Sequence, residues 1–268
     1  MNAFDHFLGA LMTKPFFSPA TFSFLDQLAK NNTRPWFNEH KPSYEQTVRS
    51  PALAFIESMQ PSIQSLSPSF TAISKKTGGS LTRVYRDARF SNDKTPYKTN
   101  IGIQFRHVAG KDVHAPGFYL HISPQECFVG AGIWRPDSKA LGKIREMISD
   151  SPNAWKQLTD NKTFKRLYAF SGDSLKTYPR GYAKDHLMIN DLKRKDFIAI
   201  SPLSQEDIVS PNLVKLVHQR YKAANDLMDY LCNALELPYW RCPLSLGWAI
   251  GFCRQHPIMP PVWQQQSL

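Results

Sequence analysis

Apolar residues fall at helical spacing along both flanks of the chain and at alternate positions in its middle. After Ser18-Pro19, an N-cap followed by proline at the first helical position, Phe22, Leu25 and Ala29 share one helical face. Asn31-Asn32 stops that helix, and Pro35 opens a short turn carrying Trp36 and Phe37. Ser43 begins a longer pattern through Tyr44, Val48, Phe55, Ile56, Met59 and Ile63, kinked or broken at Pro51. Further on, Leu141, Ile144 and Ile148 mark a helix starting at Asp137 or Ser138, and Ser151-Pro152 caps another. Ser201-Pro202, and Ser204 with Asp207 three residues later, read as helix entries. Ser210-Pro211 opens the clearest helical run, holding Leu213, Leu216, Val217, Tyr221, Leu227, Met228, Leu231 and Leu235 in register.

Between these flanks the period changes to two. Gly78-Gly79 turns the chain into a segment beginning at Arg83, and residues 100–105 alternate well enough for a second strand. Phe118, Leu120 and Ile122 point one way in a third, with Tyr119, His121 and Ser123 opposite. Residues 124–126 turn into a fourth strand, residues 127–134. Short connections built from turn residues favour antiparallel pairing. The expectation is one α+β domain over residues 18–236, a meander of about four strands flanked by N-terminal and C-terminal helices. A Phe-rich arm, residues 1–17, precedes it, and a Trp/Pro/Gln-rich extension, residues 237–268, follows.

Charge adds a location to this outline. The chain has 268 residues, 42% of them hydrophobic, and a net charge of +11. Residues 75–112 hold nine Lys/Arg against three acids, and residues 161–196 nine against four, while the remainder balances. A confined basic excess points to an anionic partner: a phosphate, a nucleotide, nucleic acid or another polyanion. No stretch approaches the ~20 apolar residues of a membrane span. The first residues lack a basic signal-peptide region, and four cysteines without tight spacing fit reduced thiols in a cytoplasm.

The first basic segment contains the densest chemistry, Arg83-Val-Tyr-Arg86-Asp87-Ala-Arg89-Phe90-Ser-Asn-Asp93-Lys94-Thr-Pro-Tyr97-Lys98. Read as a strand, it sets Arg83, Tyr85, Asp87 and Arg89 on one side and Val84, Arg86, Ala88 and Phe90 on the other. Read as a helix, it groups Arg83, Arg86, Asp87 and Phe90; Val84 and Tyr85 favour the strand. Asp87 accepts hydrogen bonds from neighbouring guanidinium forks, fixes their planes and leaves outer donors for a ligand. Ser91, Asn92 and Asp93 are turn formers, so Lys94, Tyr97 and Lys98 hang from a loop as mobile donors. Arg180, in the second basic segment, brings a further guanidinium.

This stretch, R-x-x-R-D-x-R-F-S-x-D-K-x-P-Y-K, resembles the signature of a bacterial family known as domain of unknown function 2461. Residues 31–37 with Tyr44-Glu45 resemble its N-terminal N-N-x-R-x-W-F…Y-E block. Residues 117–122 and 130–136 resemble its middle, and residues 172–173, 179–182 and 193–195 its C-terminal part. The resemblance spans roughly residues 18 to 236. It implies a shared fold and a shared site, and no particular reaction.

The chemistry therefore has to be read from residue types. The segment Thr77-Gly78-Gly79-Ser80 lacks the lysine and spacing of a P-loop, and Arg135 stands where a dinucleotide fingerprint after Gly130 and Gly132 wants glycine. Candidate proton-transfer groups are His121 with Tyr119, Tyr97, and Asp93, the last also able to ligate a metal or cap a turn. His121 reads more readily as a structural histidine, and Asp185-His186 as a similar candidate pair. Asp87 is an orienter, because adjacent arginines depress its pKa. Trp36 and Phe37 read as core, or as a platform for stacking a base. A zinc site from Cys232, Cys242, Cys253 and His256 lacks a C-x-x-C pair, so no metal is expected; nor does any motif specify a cofactor. Three readings follow: a site that holds, and acts on, a phosphate-bearing small molecule or nucleotide; a non-catalytic nucleic-acid or polyanion module; and an arginine network that pins the N-terminal helices to the sheet.

Overall fold

The structure, a computed structural model, describes residues 14–87, 89, 93–110 and 115–239. Helix α1 (Pro19–Lys30) ends at Asn31, and α2 (Arg34–Glu39) and α3 (Lys41–Tyr44) follow within a few residues. Pro51 does not break what comes next. A π-helical turn over Glu45–Arg49 leads directly into α4 (Ser50–Leu66), and Pro51 sits in its first turn. Proline has no N–H to offer the carbonyl of Thr47, four residues back, and the Thr21 hydroxyl of α1 donates to that oxygen at 2.8 Å. The widened turn and the cross-helix bond together absorb the proline.

Among the described residues six antiparallel strands, rather than about four, form the sheet: β1 (Phe70–Thr71), β2 (Ile101–His107), β3 (Gly117–Ile122), β4 (Cys127–Ile133), β5 (Ala169–Ser171) and β6 (Phe197–Leu203). Their order is β1-β2-β3-β4-β6-β5. The expected meander of β2, β3 and β4 is present, whereas the Arg83 segment is not a strand of it. Just before that segment Leu81 makes an isolated bridge to Ile103 of the sheet, and the segment folds on itself by another, Tyr85 to Tyr97. Ser201-Pro202 belongs to β6 and starts no helix, while Ser204 and Asp207 do form a capping box for α9 (Gln205–Ile208).

The helices α5 (Ser138–Asp150), α6 (Pro152–Thr159), α7 (Lys162–Leu167) and α8 (Ile189–Leu192) complete the middle of the chain. The single helix read after Ser210 is two, α10 (Leu213–Ala223) and α11 (Asn225–Ala234), divided at Ala224, whose ψ of 3° leaves the helical region. One sheet face carries Ile103, Phe105, Phe118, Leu120, Val129, Ala131, Phe197 and Ala199, all buried. It packs on the helices through contacts such as Phe118 on Tyr221 (4.7 Å between ring centres) and Phe197 on Trp155 (5.8 Å). Phe17, from the expected arm, is buried beside Phe55, and Tyr239, from the expected extension, meets Phe70 at 5.8 Å; residues 1–13 and 240–268 lie outside the described residues. The opposite sheet face is half-exposed. No helix among the described residues is long and apolar enough to cross a membrane.

Candidate functional site

The Arg83–Lys98 segment is a narrow hairpin. Arg86 N–H donates to the Pro96 carbonyl (2.9 Å) and Lys98 N–H to the Val84 carbonyl (2.8 Å), with Tyr85 opposite Tyr97. Val84 is buried and anchors one arm. What fixes the hairpin to the N-terminal helices is a side-chain amide. Asn32 donates through Nδ2 to the Tyr97 carbonyl (2.9 Å) and accepts the Tyr97 N–H at Oδ1 (3.0 Å). The Tyr97 ring, 3% exposed, stacks on Phe37 at 4.1 Å. Tyr97 is therefore a buried clamp and not a mobile donor; its burial raises the phenol pKa and keeps it protonated. Lys98 is likewise half-buried, and burial pulls its pKa down.

The cations divide into two groups. Asp87 takes Arg89 in a fork, through Nε at 2.9 Å and Nη2 at 2.8 Å, with Arg83 at 3.9 Å. Those hydrogen bonds from Arg89 drive the Asp87 pKa far below the ordinary carboxylate range, as an orienting acid requires. Arg86 is not braced by Asp87. It donates through Nη1 to Asp93 and to the Thr95 hydroxyl (3.1 Å), and Asp93 also accepts the Thr95 N–H at 2.9 Å. Asp93 is thus held ionised, chiefly by the Thr95 backbone, which makes it a poor base. The other nitrogens of Arg86 take no partner among the described residues, and the guanidinium of Arg34 takes none either. Arg34, Arg86 and Lys94 line one open cleft of about 400 Å³ with Asn38, Tyr85, Pro96 and Tyr97. Among the described residues its lining contains no acid.

A family model described as a conserved hypothetical protein (DUF2461) matches residues 20–230. The chain belongs to this family. No curated protein matches it. In this DUF2461 chain the cleft joins two of the blocks that carried the resemblance. Arg34 comes from the first, and Arg86, Lys94 and Tyr97 from the second, with Asn32 of the first block bonded to the Tyr97 backbone. Arg34 is absent from the residues that sequence reasoning assigned to the site. Its position two residues beyond Asn32, in a block resembling the same family, was the available signal.

The remaining candidates lie elsewhere. Arg180 is exposed in the loop after β5, the strand at the far edge of the sheet from β1, and does not line this cleft. His121 and Tyr119 do meet, with Tyr119 Oη 3.1 Å from His121 Nδ1, but on the half-exposed sheet face. Burial lowers the His121 pKa and raises that of Tyr119 to about 12, so both stay neutral at pH 7. His186 Nε2 lies 3.2 Å from the Ser149 hydroxyl, yet its Nδ1 accepts the Met188 N–H at 3.0 Å. Nε2 therefore carries the proton, and His186 cannot take one from Ser149. Trp36 is covered by His40, stacked at 4.1 Å, and Phe37 is core. Cys232 is buried, its thiol pushed up to about 12, while Cys242, Cys253 and His256 lie outside the described residues. Among the described residues no three His, Cys, Asp or Glu side chains group to hold a metal.

Proposed function

We propose that the protein binds a phosphate-bearing small molecule or nucleotide in the cleft bounded by Arg34, Arg86 and Lys94. The observation that carries this reading is convergence: cations from two segments about fifty residues apart face one concavity whose described lining holds no acid. Arginine forks with unfilled donors match the edges of a phosphoryl group, and lysine adds a compact third charge. Tyr85, 55% exposed, supplies a ring beside them. The reading is of binding, since the lining offers no base and Asp93 is held ionised by Thr95 and Arg86. The pinning of helices to hairpin is the work of Asn32, Phe37 and Tyr97, which leaves the arginines available.

The test is thermal shift and calorimetry with inorganic phosphate, mononucleotides and short oligonucleotides. A ligand at a hundred times its Kd stabilises by about 2.7 kcal/mol, a shift of several degrees. Arg34→Ala and Arg86→Ala should each abolish it with the fold intact, while Arg89→Ala, on the Asp87 side, should not. Binding confined to long oligonucleotides and falling steeply with salt marks a polyanion surface instead. Equal responses from Arg34→Ala and the wild type overturn the assignment.

A further inference from the structure

A second and larger cleft, about 660 Å³, lies on the half-exposed face of the sheet. Strand register dictates its shape. Arg106, Gly117, Gly132 and Ile198 stand in one row across β2, β3, β4 and β6, and Gln104, Tyr119, Gly130 and Ile200 in the next. Gly117 and Gly132 line the cleft without side chains, so its floor there is bare backbone between Arg106 and Ile198. His121 stacks on Phe128 with their planes 2° apart at one end. At the other stands Trp134, 54% exposed.

The chain bends at that tryptophan. Arg135, the next residue, has φ of 49°, a left-handed conformation uncommon outside glycine. Asp196, buried, secures it by accepting the Arg135 N–H at 2.7 Å and the Asp173 N–H at 2.9 Å. The Arg135 guanidinium carbon sits 6.0 Å from the Trp134 ring centre. Arg106 differs from the paired arginines Arg49, Arg86, Arg89 and Arg194, each of which meets a carboxylate. Its Nε and Nη2 both donate to the Gln104 amide oxygen, at 3.0 and 2.7 Å. A neutral amide fixes the fork, and among the described residues no carboxylate pairs with it.

We propose that this cleft binds a planar aromatic ring bearing one anionic group, whether carboxylate, sulfonate or phosphate. A flat ring fits a glycine floor between aromatic and isoleucine walls, where a bulkier aliphatic would meet Tyr119 and Ile198. The polarity of the cleft orients it. Arg106 and Arg135 lie at the Trp134 end, and Glu126 lies at the His121 end, so the anion turns away from Glu126.

The probe is 1-anilinonaphthalene-8-sulfonate, followed by its fluorescence on titration into the full chain. Gly117→Val should remove binding by filling the floor. A Cβ there would sit 3.4 Å from the Phe105 carbonyl oxygen, and a β-branched residue suits a strand. Arg106→Gln should weaken binding by about tenfold, the value of a charged hydrogen bond. Displacement by 2-naphthoate, with 2-naphthylmethanol about tenfold weaker, reads the anionic group separately from the ring. Arg86→Ala should bind the probe like the wild type, which separates this cleft from the phosphate site. Wild-type affinity in both Gly117→Val and Arg106→Gln, or equal competition by the acid and the alcohol, overturns the proposal. Should Gly117→Val not fold, Arg106→Gln and the competitor pair decide it alone.

Discussion

Replacing Asn32 by alanine removes two hydrogen bonds at once, to the N–H and the carbonyl of Tyr97 at 3.0 and 2.9 Å. The Tyr97 side chain is buried against Phe37, and its backbone faces the helix end. A partly buried bond contributes about 1 kcal/mol net, and an unpaired peptide group left behind adds about 1–3 kcal/mol where water does not reach. Because the site is only part-buried, we take the total for Asn32→Ala near 3 kcal/mol, or a fall in Tm of roughly 6–12 °C for a chain of this size. Denaturant titration with unchanged slope measures it directly. Asn32→Asp sharpens the reasoning. Its carboxylate still accepts the Tyr97 N–H but turns a second oxygen on the Tyr97 carbonyl. At pH 7 it should be at least as unstable as alanine, and it should recover as the pH falls below about 4, where a protonated acid can donate again. Since the hairpin carries Arg86 and Lys94, both variants should also weaken phosphate binding, although Asn32 does not line the cleft. A loss below about 0.5 kcal/mol for Asn32→Ala, within the range of an ordinary surface change, refutes the clamp.

Other outcomes follow from the same geometry. Gly132→Ala places a Cβ 2.0 Å from the Phe197 carbonyl oxygen at a φ of +133°, so it should lose more than about 3 kcal/mol or fail to fold, as read by soluble yield and denaturation. Gly102→Ala would set a Cβ 2.7 Å from the Tyr119 hydroxyl and 2.9 Å from Thr82 Oγ1. It should displace the phenol from His121, seen as a changed His121 ring resonance, while costing only about 1–2 kcal/mol because a side-chain tip can move. The folded-state pKa of His121 is depressed by burial below its ordinary 6.5. The unfolded chain therefore binds the proton first, and stability, complete above pH 6.5, declines as the pH falls towards the folded value. His121→Gln should flatten the pH 7 to 5 stability profile; an unchanged slope refutes the assignment. His218, its pKa lowered chiefly by burial, adds slope in the same direction.

The helical flanks and the middle of the sheet were legible because burial on one face writes a period into the sequence. Phe118, Leu120 and Ile122 show this in β3, where alternate residues are buried. Strand β6 was missed because its Ser201-Pro202 imitates a helix start. Proline is tolerated there since β5 pairs with β6 only as far as Ile200, beyond which that side is an edge. The three-residue β5 is too short to carry a period at all. The Arg83 segment keeps the division of its arginines that the strand reading gave, Arg83 and Arg89 on Asp87 and Arg86 apart on Asp93, although it folds as a hairpin outside the sheet. Arg34 joined them only through tertiary folding, about fifty residues away in sequence. The second cleft was less legible still. Gly117 and Gly132 meet Arg106 through strand register, which no local pattern encodes.

The pleat of β2, β3, β4 and β6 has one further result. Residues facing the helices hold the molecule together, and their immediate neighbours along each strand point to the other face. Positions such as Gln104, Arg106, Tyr119 and Ile200 can therefore drift, or be randomised in a library, one codon at a time without unsettling the interior. The exceptions are Gly102 and Gly132, which steric crowding ties to their places. Selectivity on that surface is consequently open to rapid change within an otherwise constant scaffold.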